Sequence, residues 1–73
     1  KLLDLSMFTR QFATLLLAGI PLEEALLGVA EQTEKKHFKA IIMAVRSRVL
    51  EGAPLASAMA DFPSVFNHLY RSN

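Results

Sequence analysis

The chain has 73 residues, 8 basic and 7 acidic, for a formal net charge of +1 and no cysteine. That balance gives no electrostatic mandate for nucleic acid or an acidic membrane surface, and it excludes a disulfide framework and thiolate chemistry. The hydrophobic fraction of 52% is high for a size that buries only about 60% of its unfolded surface, so some apolar side chains should need a partner, a second copy or further chain to cover them.

The predicted elements follow hydrophobic periodicity. A first helix is expected over 3–18, with Leu5, Phe8, Phe12, Leu15 and Leu16 on one face and Arg10 and Gln11 off it. Gly19 closes it and Pro21 opens a second helix at its first helical position. Glu23 and Glu24 then fall in the first turn, where the partial positive charge of a helix end favours carboxylates. Leu22, Ala25, Leu26, Val29 and Ala30 form its inner face, and Gly28 allows a close helix approach. Thr33 is the expected N-cap of a third helix, which carries the stripe Phe38, Ile41, Ile42, Val45 and Val49 and spans roughly 27 Å before Gly52 ends it.

A fourth, short helix is expected from Pro54 to about Asp61, with Leu55, Ala58 and Met59 inward. Phe62-Pro63 breaks it, and Ser64 caps the start of a fifth carrying Val65, Phe66, Leu69 and Tyr70. The turns before helices two and four echo each other 33 residues apart: Gly19-Ile20-Pro21-Leu22-Glu23-Glu24-Ala25-Leu26 and Gly52-Ala53-Pro54-Leu55-Ala56-Ser57-Ala58-Met59. The fold class is all-α: a small antiparallel bundle of two helix-turn-helix hairpins plus the start of a fifth helix, as one domain over 1–73. With Lys at its start and an apolar pattern only opening at its end, the chain reads as an excerpt from a longer protein. No stretch reaches the roughly 20 apolar residues of a spanning helix; the longest uncharged run, Gln11 to Leu22, contains Gly19 and Pro21.

No constellation carries catalysis. Glu34 and His37 make one Glu-x-x-His pair on the third helix, where di-metal bundles need two such pairs and further glutamates, and Lys35 and Lys36 would repel a cation. His68 reads as a surface histidine, and Ser6, Ser47, Ser57, Ser64 and Ser72 have no nucleophile motif around them. The glycines are too far apart for a phosphate loop. No catalytic, cofactor-binding or metal residue is therefore assigned. Lys35, Lys36, Lys39, Arg46 and Arg48 make the third helix basic, and a DNA-binding helical module is the alternative reading; an ordinary solvated face balanced by Glu31, Glu34 and Glu51 is the simpler one.

The order of motifs resembles a known family. Phe8-Thr9-Arg10-Gln11-Phe12-Ala13-Thr14-Leu15-Leu16, the first Gly-Ile-Pro-Leu-Glu-Glu-Ala-Leu copy, Ala30-Glu31-Gln32-Thr33-Glu34-Lys35 and Ala44-Val45-Arg46-Ser47-Arg48-Val49-Leu50-Glu51-Gly52 are similar to the first cytoplasmic domain of type II secretion system protein F. Leu55-Ala56-Ser57-Ala58-Met59, Phe62-Pro63, Phe66 and Leu69-Tyr70 complete the match, which looks closer to the secretion branch than to the type IV pilus branch. The resemblance implies a helical bundle on the cytoplasmic side of the bacterial inner membrane. In the family a Gly-Glu-x-x-Gly stretch, a final helix and membrane spans follow, and any cation site built there lies beyond this chain. It also implies a non-enzymatic platform role, with contacts to the assembly ATPase and its membrane-anchored partner; the high apolar content and marginal core add an expected association as a homodimer or higher oligomer. Our inference is that partners read polar positions beside the turns and off the stripes: Arg10, Gln11, Glu23, Glu24, Arg46 and Arg48.

Overall fold

A computed structural model describes residues 2–66 of the chain, with side chains from residue 4 onward. Its helices are α1 (Leu2–Leu17), α2 (Leu22–Gln32), α3 (Lys36–Leu50) and α4 (Leu55–Ala60), followed by a helical turn over 63–66. No strand occurs among the described residues. The expected all-α bundle of two helix-turn-helix units and the start of a fifth helix is what forms. Leu69, Tyr70 and His68 lie outside the described residues.

The two echoed turns are built alike. Gly19 and Gly52 take φ of +88° and +105°, the left-handed region that an L side chain resists. The amide of Gly19 donates to Leu16 O (3.0 Å) and that of Ile20 to Leu15 O (3.1 Å). At the second turn Gly52 donates to Val49 O (3.0 Å) and Ala53 to Arg48 O (3.0 Å). Each pair is the double hydrogen bond of a glycine-terminated helix end, which satisfies carbonyls the helix leaves open.

The prolines sit one residue earlier than expected. Pro21 (φ −56°, ψ 150°) and Pro54 (φ −62°, ψ 150°) are N-caps, not first helical residues. Their ring fixes φ near the helical value, but an extended ψ keeps them outside the helix. Their carbonyls accept the first intrahelical bonds, from Ala25 N (2.8 Å) and Ala58 N (3.0 Å).

Two caps also differ from expectation. Thr33 closes α2 instead of opening α3: its hydroxyl donates to Val29 O at 2.8 Å, which turns the side chain back along α2. Lys35 is the N-cap of α3, without a side-chain hydrogen bond, so that helix is shorter than expected. At 63–66 Pro63 leads the turn and Ser64 lies within it, because Val65 N and Phe66 N both bond to Phe62 O (3.0 and 3.1 Å).

The core is apolar throughout; among the described residues no polar or charged side chain is buried. Leu5, Phe8 and Phe12 of α1 meet Ala25, Leu26, Val29 and Ala30 of α2, Ile41, Ile42 and Val45 of α3, and Ala58 and Met59 of α4. Phe8 is the hub. It stacks on Phe12 (ring centroids 5.3 Å), meets Phe38 edge-on (5.8 Å) and touches Phe66 at 5.7 Å, which joins α1 to α3 and to the turn at 63–66. Alanine at three positions of the α2 and α4 inner faces lets those helices lie close to α3. Gly28 serves the close approach expected of it, since a Cβ there would meet Leu15 Cδ1 at 3.3 Å. Leu16, expected inside, is exposed: Leu15 already fills the space over Gly28, and among the described residues no other element covers the last turn of α1. The Cα radius of gyration, 11.3 Å, matches the value of about 11 Å for a compact chain of this length.

Candidate interaction surface

Two polar contacts orient the bundle. Arg46 Nε, half-buried on α3, donates to the backbone carbonyl of Glu23 at 3.1 Å. The late part of α3 therefore lies beside the start of α2. Both glycine turns consequently fall at one end of the bundle. Lys35 Nζ lies 3.3 Å from Asp4 Oδ2, which sets the α2–α3 connection beside the start of α1, at the opposite end.

The six residues singled out in the sequence separate into two groups. Glu23, Glu24, Arg46 and Arg48 belong to the double-turn end. Arg48 Nε pairs with Asp61 Oδ2 at 3.0 Å, and its Nη1 lies 3.8 Å from Glu51 Oε1, so it ties α3 to the C-cap of α4. Both described guanidinium groups at this end are thus engaged within the chain. The Glu23 and Glu24 carboxylates have no partner among the described residues.

Arg10 and Gln11 lie instead along the α1–α2 groove. One part of it, about 260 Å³, is lined by Arg10, Gln11, Thr14, Leu15, Gly28, Val29 and Gln32. The next part, about 250 Å³, runs past Met7, Phe8 and Phe38 to Asp4 and Lys35. Gln11 and Gln32 line both parts.

Sequence reasoning missed the apolar side chains of the double-turn end. Leu17 is 88% exposed and Leu50 57%, with Leu16 and Ile20 also open to solvent. The available signal was the excess of apolar residues over the space inside. Periodicity placed Leu16 inward and gave Leu17, Ile20 and Leu50 no role.

The chemistry-bearing pairs do not assemble. Glu34 precedes α3 rather than sharing a helix face with His37, because the N-cap is Lys35. Among the described residues no group of three or more His, Cys, Asp or Glu side chains could hold a metal ion. Of the five basic residues assigned to the third helix, Lys35 is its cap and pairs with Asp4, while Arg46 bonds to the Glu23 carbonyl and Arg48 pairs with Asp61 at the surface. No described helix is long and apolar enough to cross a membrane.

Fold and surface together define a small helical domain with a wholly apolar core, its polar groups outside, and apolar side chains left open at one end. The sequence profile of the family "Type II secretion system (T2SS), protein F" matches residues 8–72. The chain belongs to this family. It is 49% identical over 69 residues to a type II secretion system protein F from Vibrio cholerae, covering 94% of this chain and 17% of that protein. It is 51% identical to the protein F of Aeromonas hydrophila, covering 94% of this chain and 18% of that protein. It is also 42% identical to a type IV pilus assembly protein PilC from Myxococcus xanthus, covering 92% of this chain and 16% of that protein. The chain thus spans less than a fifth of the length of the curated relatives it matches.

Proposed function

We propose that this chain is a scaffolding domain of the inner-membrane platform of a type II secretion system. It lies on the cytoplasmic side and contacts the assembly ATPase and its membrane-anchored partner. The observation that carries the reading is the family match, which runs through all four helices and both glycine turns. A second support is physical: a domain with an apolar interior, no buried polar group among the described residues and exposed leucines at one end suits binding better than bond-making chemistry. The role is non-enzymatic, without cofactor or metal, and membrane attachment comes through spans outside this chain. Self-association as a homodimer or higher oligomer belongs to the same reading.

Glu23, Glu24, Arg46 and Arg48 at the double-turn end, and Arg10 and Gln11 in the α1–α2 groove, are the residues proposed to meet partners. The DNA-binding alternative draws little from the geometry, because three of the five basic side chains it would use are engaged within the domain.

The test is co-purification of the chain with the secretion ATPase, with the cytoplasmic part of the ATPase's membrane anchor, and with both together. A complex with at least one is expected. Failure to bind either, singly or together, would remove the proposal.

A further inference from the structure

Five large apolar side chains are exposed among the described residues, and four of them share one end: Leu16, Leu17, Ile20 and Leu50. The placement follows from the topology. Leu16 and Leu17 close α1, Ile20 lies in the first glycine turn, and Leu50 closes α3 before the second. The Arg46–Glu23 bond brings these two turns to the same end. An isolated exposed leucine is ordinary, but a group at one end is a docking feature.

Charge identifies what could cover it. Glu23 and Glu24 stand in the first turn of α2 and their carboxylates have no partner among the described residues. Among the described residues, Arg48 is paired with Asp61, and Arg46, bound to a neutral carbonyl, keeps its charge; Glu23, Glu24 and Glu51 together outweigh it and leave this end net negative. The open surface is therefore apolar with an acidic edge. A second copy docked face to face would set the same carboxylates against each other, and an anionic lipid surface would repel them.

We propose that the double-turn end receives an amphipathic helix of a protein partner, with apolar residues on one face and lysine or arginine beside them. Such a helix would lay its apolar face across Leu17, Ile20 and Leu50 and set its cations against Glu23 and Glu24. The bundle measures 26 × 25 × 23 Å, so a helix of about 16 residues spans that end. The inference rests on the reading of the chain as an interaction domain and names the surface and the chemistry of its partner.

The probe is a synthetic helical peptide of leucines at helical spacing with lysines elsewhere, titrated into the chain and followed by amide NMR shifts. A matched peptide with glutamate for lysine is the control. Shifts are expected to concentrate at residues 16–24 and 48–53. The double variant L17Q/L50Q should weaken binding at least tenfold, and E23Q/E24Q should flatten its salt dependence. M7Q, which alters the exposed apolar residue at the other end, should leave binding unchanged. All these side chains are solvent-exposed or half-exposed, so an unaltered far-UV circular dichroism spectrum is expected for each variant.

Equal binding of the glutamate peptide, or an unaltered affinity in L17Q/L50Q, overturns the proposal. So does a concentration-dependent dimer abolished by L17Q/L50Q, which assigns the surface to a second copy. Binding to phosphatidylglycerol vesicles lost in the same variant assigns it to lipid. Failure here leaves the co-purification test above to be decided separately.

Discussion

Alanine substituted at each of the three glycines should give two opposite signs. At Gly19 and Gly52 the added Cβ meets no atom within 4 Å, so packing cannot resist it. The penalty comes from the backbone, since φ of +88° and +105° puts an L residue in a region that costs it about 1–2 kcal/mol. Loss of unfolded-state freedom on replacing glycine returns about 0.4–1 kcal/mol, leaving a net destabilisation of about 1 kcal/mol.

Gly28 is inside α2, where alanine gains about 0.8–1.0 kcal/mol of helix propensity. Against that stands Leu15 Cδ1, 3.3 Å from the new methyl group. It is the far end of a half-buried side chain at an open groove and can withdraw by a few tenths of an ångström. G28A should therefore be stabilised by up to about 1 kcal/mol. Urea unfolding followed at 222 nm measures all three, and for a domain of this size about 1 kcal/mol appears as a shift of about 4–8 °C in Tm. Neutral G19A and G52A would show that the left-handed turns are dispensable. A G28A as destabilised as the other two would show that α1 and α2 cannot give where Leu15 lies over Gly28.

Three further outcomes follow from the packing. Phe8→Ala should destabilise by about 3–5 kcal/mol, because the ring is buried and contacts three other aromatics; that approaches the whole stability of a domain this small, about 4–11 kcal/mol, so loss of the cooperative thermal transition is expected. Arg46→Met keeps the aliphatic packing and removes the hydrogen bond to the Glu23 carbonyl; calorimetry should show a loss of about 1 kcal/mol. Asp61→Asn breaks a half-exposed pair with Arg48 and should change stability by about 0–1 kcal/mol, with the difference shrinking in 0.5 M salt; a larger, salt-resistant loss would mean the pair anchors α4.

The helices and their inward stripes were legible because periodicity is local. Leu5, Phe8 and Phe12, then Leu26 and Val29, then Ile41, Ile42 and Val45 recur at helical spacing, and each set is buried. The glycine turns were legible for the same reason: a left-handed residue, followed two positions later by proline, leaves the chain few conformations. The caps were less so. Thr33 could serve the helix before it or the helix after it, and the choice depends on where α2 ends relative to α3. Proline fixes φ but not ψ, so sequence could not separate an N-cap from a first helical residue.

The sequence by itself determined the element order, the all-helical class, the two sharp reversals and most of the core. Those depend on interactions within a few residues. Tertiary structure decided which apolar residues stay outside and which charges are free. Leu16 and Leu15 look alike along the chain, but only Leu15 has α2 opposite it. Arg46 and Glu23 are 23 positions apart, and nothing local says that one will bind the other's carbonyl and bring both turns to the same end. That end, apolar with an acidic edge, exists only once the helices have packed.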